Sequence, residues 1–339
     1  MRLSVVIHQF FDHYLSQIKG ASPHSIQAYR DTIKLLLPFA ANHYGIKVGS
    51  LSLRHLTAEL VLSFLNHLEI ERKNSAKTRN HRLAAIKTLA KMIRFMSAQW
   101  TPAMDQILSI PQKRTQRQLI GFLYPEEINK VLNAIDINTA QGFRDYVIIQ
   151  LLFESGARAS EIAALQLDYF NPKHRTLVIL GKGNRFRQID LSAPTAKLIR
   201  IYIAQYRRTP KSSFAKLLFV GQHGNALTRH GIYRLCKKYL VLVLPEKRLK
   251  VINPVHSFRH ACAVSMLAAG CSVTDIKNKL GHENIQSTMV YLQMDLSHRK
   301  RVQKRFAQYT EAVLTRNAAI EELIAQQEQD DIMTWLDSL

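Results

Sequence analysis

His256-Ser-Phe-Arg259-His260, Leu280-Gly281-His282 and Ser287-Thr288-Met289-Val290-Tyr291 are the residues on which the reading of this 339-residue chain turns. In the first segment, residues 256 and 259 are i,i+3 neighbours if the stretch is helical, which puts an imidazole and a guanidinium side by side. In the last, Tyr291 follows His282 by nine residues. Two upstream segments belong with them: Glu154-Ser-Gly-Ala-Arg158-Ala-Ser-Glu161-Ile162 and Gly181-Lys182-Gly183-Asn184-Arg185. Around the second, Arg175-TLVIL and RFRQIDL read as two strands about a Gly-rich turn.

Outward from these segments the chain reads as helical. A helix starts at Tyr124-Pro125-Glu126-Glu127 with Ile128, Val131, Leu132 and Ile135 on one face, and Arg144 to Phe153 is an apolar helix. Helices return at Pro194–Tyr206 and Arg229–Leu240. Before all of these, residues 1–98 give four or five helices and no strong strand. Ser22-Pro23 opens one to Phe39, Thr57 to Leu68 is another, and Ser75 to Met96 buries Leu83, Ile86, Leu89, Ala90 and Ile93. The N-terminal MRLSVVIHQFFDHYL, with His8 and Asp12 in its apolar stretch, reads as an amphipathic helix and not a signal peptide. Residues 99–121 lack periodicity and read as a linker. The expected division is therefore a helical domain 1–105, a linker 106–121, a mainly helical domain with a small antiparallel sheet at 122–310, and a tail 311–339.

Composition narrows the partners. Hydrophobic residues are 47% and charged residues 21%, which excludes a disordered or low-complexity chain. Lys and Arg number 47 against 25 acids, a net charge of +22. That surplus favours a polyanion such as nucleic acid over a membrane surface, since no basic amphipathic membrane helix stands out. The charge is uneven: residues 1–112 carry net +8, residues 113–320 net +20, and residues 321–339 net −6. No run of about 18 apolar residues suggests a membrane span. Cys236, Cys262 and Cys271 form neither a disulfide framework nor a zinc motif, so a reducing cytoplasm is the natural compartment.

In order, Arg158, Lys182, His256-x-x-Arg259, Gly281-His282 and Tyr291 resemble the catalytic set of the tyrosine recombinase (phage integrase) family of site-specific DNA recombinases. Glu161 three residues after the first Arg, and Lys182 within Gly-Lys-Gly, agree as well. The resemblance covers roughly 122–300 closely, and the N-terminal helices more loosely. None of the six positions departs from the pattern. It implies a helical core-binding domain and an α+β catalytic domain that form a clamp round DNA.

The chemistry suits these residue types. Breaking a phosphodiester without metal leaves extra negative charge on a five-coordinate phosphorus, which the guanidiniums of Arg158 and Arg259 are suited to stabilise. On the resemblance, Tyr291 is the nucleophile, forming a 3′-phosphotyrosyl ester, with its phenol acidified by neighbouring cations. Lys182 is the acid for the leaving 5′ oxygen, His256 moves the proton at the attacking oxygen, and His282 orients the phosphate. His260 reads as a packing or capping residue. His256, His260 and His282 lack the acid cluster or spacing of a zinc site, and GKGN is no Walker loop, so no metal or cofactor is expected.

DNA contacts are expected from Lys77, Arg79, Asn80, Arg82 and Lys87 at the start of the third N-terminal helix, from Arg185 and Arg187 on the second strand, and from Arg229 opening a helix. The stripe Ile332, Trp335, Leu336 and Leu339 marks an amphipathic tail seeking a partner. The resemblance implies a homo-tetramer on two duplexes, inverted-repeat sites, a Holliday junction, and service to a mobile element. A chromosome-dimer or plasmid resolvase has the same residues, and accessory DNA-bending or partner recombinase proteins fit either role. A type IB topoisomerase shares the catalytic logic. A catalytically silent DNA-binding regulator explains the charge but not the six ordered positions.

Overall fold

A computed structural model describes residues 1–115, 121–181, 183, 185–292 and 304. The chain divides into two compact units, Met1–Gln118 and Leu119–Leu339. Among the described residues no helix is long and apolar enough to cross a membrane.

The first unit is helical. Its elements are α1 (Leu3–His8), continued by a π-wound segment Gln9–Ile18, then α2 (Pro23–His43), α3 (Ala58–Ile70), α4 (Ala76–Met96) and α5 (Thr101–Ser109). The starts follow the capping rules: Ser22, Thr57 and Ser75 each accept a backbone N–H of the first turn. α2 runs on past Pro38 to His43. The expected linker begins too early. Met104, Ile107 and Ile110 are buried in the same core as Leu83, Ile86 and Leu89, so α5 belongs to the helical unit. Trp100, Ala103, Met104, Ile107 and Leu108 pack on that core at helical spacing, so the periodic face is there, in a helix of only nine residues.

In the second unit, α6 (Pro125–Asn133), α7 (Ala140–Ser155) and α8 (Ala159–Ala163) precede a three-stranded sheet. Its strands are β1 (Phe170–Asn171), β2 (Thr176–Leu180) and β3 (Phe186–Asp190), antiparallel in the order β1-β2-β3. The expected hairpin is β2–β3, with Ile179 opposite Arg187 and Leu180 opposite Phe186. β1 was not legible in sequence, because two residues carry no alternation. Then come α9 (Ala193–Ile201) with a π-wound end Tyr202–Tyr206, α10 (Arg229–Val243), α11 (Glu246–Leu249), α12 (His256–Ala268), α13 (Val273–Leu280) and α14 (Gln286–Met289). α7 is buried on nearly all sides and packs against α12. That pairing is the scaffold of the site, since its end carries Arg158 and its partner carries His256 and Arg259. The stripe at residues 332–339 lies outside the described residues.

Candidate active site

The site begins where α7 ends. Gly156 closes that helix at φ +60°, in the left-handed region that glycine enters without steric cost. The turn delivers Arg158 as the cap of α8. Its backbone N–H donates to Oε2 of Glu161 at 3.0 Å and its guanidinium to Oε1 at 2.7 Å. Arg187, from β3, donates to Oε2 at 2.7 Å and to the carbonyl of Lys279 at 2.9 Å. Burial alone raises the Glu161 carboxyl, but Arg187 and Arg158 outweigh it and hold the group below its ordinary range. One ionised carboxylate thus fixes two guanidiniums.

α12 supplies the next two groups. Val255 has no capping side chain, and Asn253 takes over: its Oδ1 accepts from the N–H groups of Val255 and His256 at 3.2 and 3.0 Å. His256 therefore stands exposed at the helix start. Arg259, one turn on, is only 4% exposed. Its terminal nitrogens donate to the carbonyls of Gly156 at 2.5 Å and Leu280 at 2.6 Å. Five donors sit on a guanidinium, so this fixes its plane and leaves others for a ligand.

α13 is closed by a reciprocal Ser272–Asp275 cap at one end and by Gly281, at φ +65°, at the other. A Cβ at 281 would lie 2.9 Å from Nη1 of Arg187, so the glycine also makes room for that strut. His282 follows, its Nδ1 2.8 Å from Oγ1 of the buried Thr288 in α14. Two residues beyond α14, Tyr291 is buried at 2% exposure. Its Oη lies 2.8 Å from Nδ1 of His260.

The charges show which groups share a field. Burial, then the charge of Arg158, takes the Arg259 guanidinium down to about 10. Burial, then Arg259, Arg158 and Arg187, takes His282 down to about 4. Desolvation, then Arg259, Arg158 and Arg229, lowers His256. The histidines are thus neutral at pH 7 in a cluster already rich in cations. That is a setting for an anion.

Two expectations need correcting. The Tyr291 phenol is not acidified here: burial pushes it up to about 12, and the nearby Arg259 only partly offsets this. And His260, expected to pack or cap, holds the phenol. Burial, then His256, Arg259 and His282, takes that imidazole down to about 4. With its ring proton on Nε2, the neutral imidazole accepts the phenolic O–H at Nδ1; with it on Nδ1, the ring donates to Oη instead. The sequence did hold a signal: His260 lies at i+4 from His256, on the same helix face. Arg158, His256, Arg259, His282 and Tyr291 are brought into one cluster, while Lys182 lies outside the described residues. No group of three or more His, Cys, Asp or Glu placed to hold a metal ion occurs among the described residues.

Comparison with known proteins gives the family. The phage integrase family model matches residues 121–298, and the phage integrase N-terminal SAM-like domain matches residues 7–94. The chain belongs to the phage integrase family. This integrase-family chain is 30% identical over 312 residues to y4rC of Sinorhizobium fredii, a protein named as an integrase/recombinase, covering 91% of this chain and 92% of that one. It is 24% identical to the tyrosine recombinase XerD of Staphylococcus aureus, covering 90% and 99% of the two chains. Solved structures share the fold. XerH site-specific recombinase bound to palindromic difH substrate superposes with a TM-score of 0.66 at 19% identity, over 86% of this chain and 82% of that one. The Tn1549 transposon integrase in complex with transposon right end DNA gives 0.64 at 18%, over 89% and 99%. The chain is accordingly a tyrosine-type DNA strand transferase.

The integrase's expected DNA contacts divide into two groups. Lys77, Arg185 and Arg229 are exposed. The others turn inward. Arg79 is 6% exposed and donates to Asn80 and to the carbonyl of Pro111. Asn80 pairs with the backbone of Lys113 through both ends of its amide. Arg82 donates to Thr32 at 3.1 Å, and Lys87 to the carbonyl of Leu108 at 2.6 Å. Arg187 is the strut already described. The reason lies in helical spacing: Arg79 is four and seven residues before Leu83 and Ile86, on the buried stripe of α4. A basic run was read as one surface where the helix splits it between two.

Proposed function

We propose that this integrase breaks and rejoins DNA strands at specific sites, with Tyr291 attacking phosphorus to form a 3′-phosphotyrosyl ester. The observation that carries the reading is the meeting of Tyr291, Arg259, Arg158, His256 and His282 in one cation-rich cluster. Arg158 and Arg259 clamp the non-bridging oxygens by paired hydrogen bonds, which strengthen as charge builds on the five-coordinate phosphorus. His256 and His282, neutral before DNA arrives, gain proton affinity once the phosphate is seated and add two more donors. Lys182, on the turn between β2 and β3, protonates the leaving 5′ oxygen. The bond energy is kept in the phosphotyrosyl ester, so the 5′-hydroxyl of a second strand rejoins without ATP. Lys77, Arg185 and Arg229 hold the backbone of the duplex.

In the same reading both units contact the duplex, and four copies act on two duplexes through a Holliday junction. The sites are inverted repeats, and service to a mobile element is the preferred role, on the resemblance to integrases. The likeness to the tyrosine recombinase XerD suits a second reading as well, a resolvase of chromosome or plasmid dimers with the same chemistry.

The test uses duplexes recovered from a random pool by binding to the purified protein, each carrying a nick stepped along the site. A denaturant-resistant protein–DNA adduct, formed without added metal or ATP and lost in Tyr291→Phe, is the expected result. Tight binding with no adduct at any nick position overturns the reading in favour of a silent DNA-binding regulator.

A further inference from the structure

We infer that His260 is the base that takes the phenolic proton of Tyr291 during strand cleavage and returns it during rejoining. The inference rests on the recombinase reading above and moves to His260 the proton step that the family resemblance gives to His256. It stands on geometry first. Tyr291 Oη is 2.8 Å from Nδ1 of His260, within the distance for proton transfer. His260 lies on α12 one turn after His256 and directly after Arg259. Its ring centroid is 6.3 Å from that of His256 and 5.8 Å from that of Tyr291. His256 stands at the exposed start of the helix, whereas His260 is on the reacting atom.

The step balances. The Oη–H bond breaks as Oη bonds to phosphorus, the P–O5′ bond breaks, and the phenolic proton moves to Nδ1. The product is an imidazolium with protons on both nitrogens. The leaving 5′ oxygen takes its proton from a separate acid, the role proposed for Lys182. In the reverse half the 5′-hydroxyl attacks and gives its proton back to that now-deprotonated acid, the P–O bond to Tyr291 breaks, and His260 returns its proton to the phenolate oxygen.

The resting state explains why the nucleophile is silent without DNA. His260 sits at about 4 and Tyr291 at about 12, so the proton stays on the phenol. The order reverses as the new bond forms. A bridging oxygen that carries phosphorus and still holds a proton is an oxonium, far more acidic than an imidazolium, so a weak base correctly placed suffices. The groups that face this pair are His256 and Arg259 on its own helix, His282 from the turn after α13, and the buried thiol of Cys262 beside Tyr291. The cations withhold a proton from His260 until the phosphodiester brings negative charge among them.

The experiment compares wild type, His260→Asn and His260→Gln in single-turnover adduct formation on the nicked duplexes, from pH 6 to pH 9. Melting temperature and duplex affinity are measured on the same preparations. Asparagine places an oxygen near the position of Nδ1 and accepts the phenol's hydrogen bond, but it takes no proton at these pH values. The expected result is a loss of about 10²- to 10⁴-fold in rate for His260→Asn, the usual size of a lost general base, with affinity and melting kept. The variant's residual rate rises about tenfold per pH unit, because hydroxide replaces the missing base, while the wild-type rate does not follow hydroxide. An adduct that forms in His260→Asn at the wild-type rate, with the wild-type pH profile, overturns the inference and leaves the recombinase reading intact. Parallel losses of affinity, melting and rate in both variants, with an unchanged pH profile, overturn it in favour of a packing role. No adduct in wild type on any tightly bound nicked duplex overturns both.

Discussion

Arg187 donates to the carboxylate of Glu161 at 2.7 Å, across 26 residues of chain. The two side chains are 11% and 5% exposed. The same carboxylate holds Arg158, whose side chain is 34% exposed and faces the proposed phosphate position. Glu161 is therefore a positioning residue. Replacing it by Ala leaves Arg187 charged and unpaired in a dry place, which costs about 3–5 kcal/mol. In a unit of this size that lowers the melting temperature by on the order of 10 °C. Arg158→Ala removes a partner that water partly replaces, so its melting change is smaller while its adduct rate falls further. Thermal melts and single-turnover rates on both variants check the contrast. Equal melting losses in the two would show that the carboxylate does not act as a buried strut.

Gly156 links the backbone to the clamp. Its carbonyl accepts from Arg259 at 2.5 Å, and its φ is +60°. A Cβ there would lie 2.4 Å from Cδ2 of Leu280 and 3.2 Å from Sγ of Cys262. Gly156→Ala combines a left-handed cost of about 1–2 kcal/mol with overpacking of about 1–3 kcal/mol. The relief route moves the 156 carbonyl and turns Arg259. The expected outcome is a destabilised protein whose adduct rate falls at saturating DNA, even at a temperature where it is fully folded. A variant that loses melting temperature but keeps its saturating rate would mean that the Gly156 carbonyl does not set the guanidinium.

How much of this was legible depends on which physical signal each residue carried. Ser22, Thr57 and Ser75 announced helix starts because a side-chain cap is a local hydrogen bond. Arg158, His256, Arg259, His282 and Tyr291 were legible as an ordered set. The direction of the Tyr291 shift was not, since burial is a property of the folded unit and outweighs a cation that the sequence shows plainly. α5 was missed although Trp100, Ala103, Met104, Ile107 and Leu108 fall at helical spacing, because the face spans only nine residues beside a basic stretch. The contact with His260 was available only as a spacing on α12, and its partner lies 31 residues away.

Charge alone did not separate grip from scaffold on α4. Lys77 is exposed, whereas Arg79 is buried against Asn80 and Pro111, with Glu69 3.8 Å away. Lys77→Ala is expected to weaken duplex binding across sequences and to reduce the slope of log affinity against log salt by about 1, with melting unchanged. Arg79→Ala is expected to do the opposite. It loses hydrogen bonds to a buried charged group, at about 1.5–3 kcal/mol of stability, and leaves the salt slope where it was. Salt titrations of binding, paired with melts, read both. A reduced salt slope in Arg79→Ala would return that residue to the interface.

The histidines make both stability and DNA binding depend on pH, and the sign follows from their lowered values. His260 and His282 sit at about 4 in the folded chain against an ordinary 6.5. Between those values the unfolded chain binds protons that the folded chain refuses, so stability present above pH 6.5 is lost progressively as pH falls towards 4. Glu161 works in a lower window: its value is depressed below the ordinary 4.5, so its contribution persists until pH drops beneath that. A duplex changes the first window. Its phosphate raises His282, the complex takes up protons there, and the stabilisation added by DNA grows as pH falls from 7.5 to 5. Melts at pH 7.5, 6 and 5, with and without a bound duplex, are expected to show the free protein losing melting temperature while the DNA-dependent increment rises. His282→Gln flattens both trends. A free protein whose melting temperature is level across that range would mean that these rings are not held neutral by the fold.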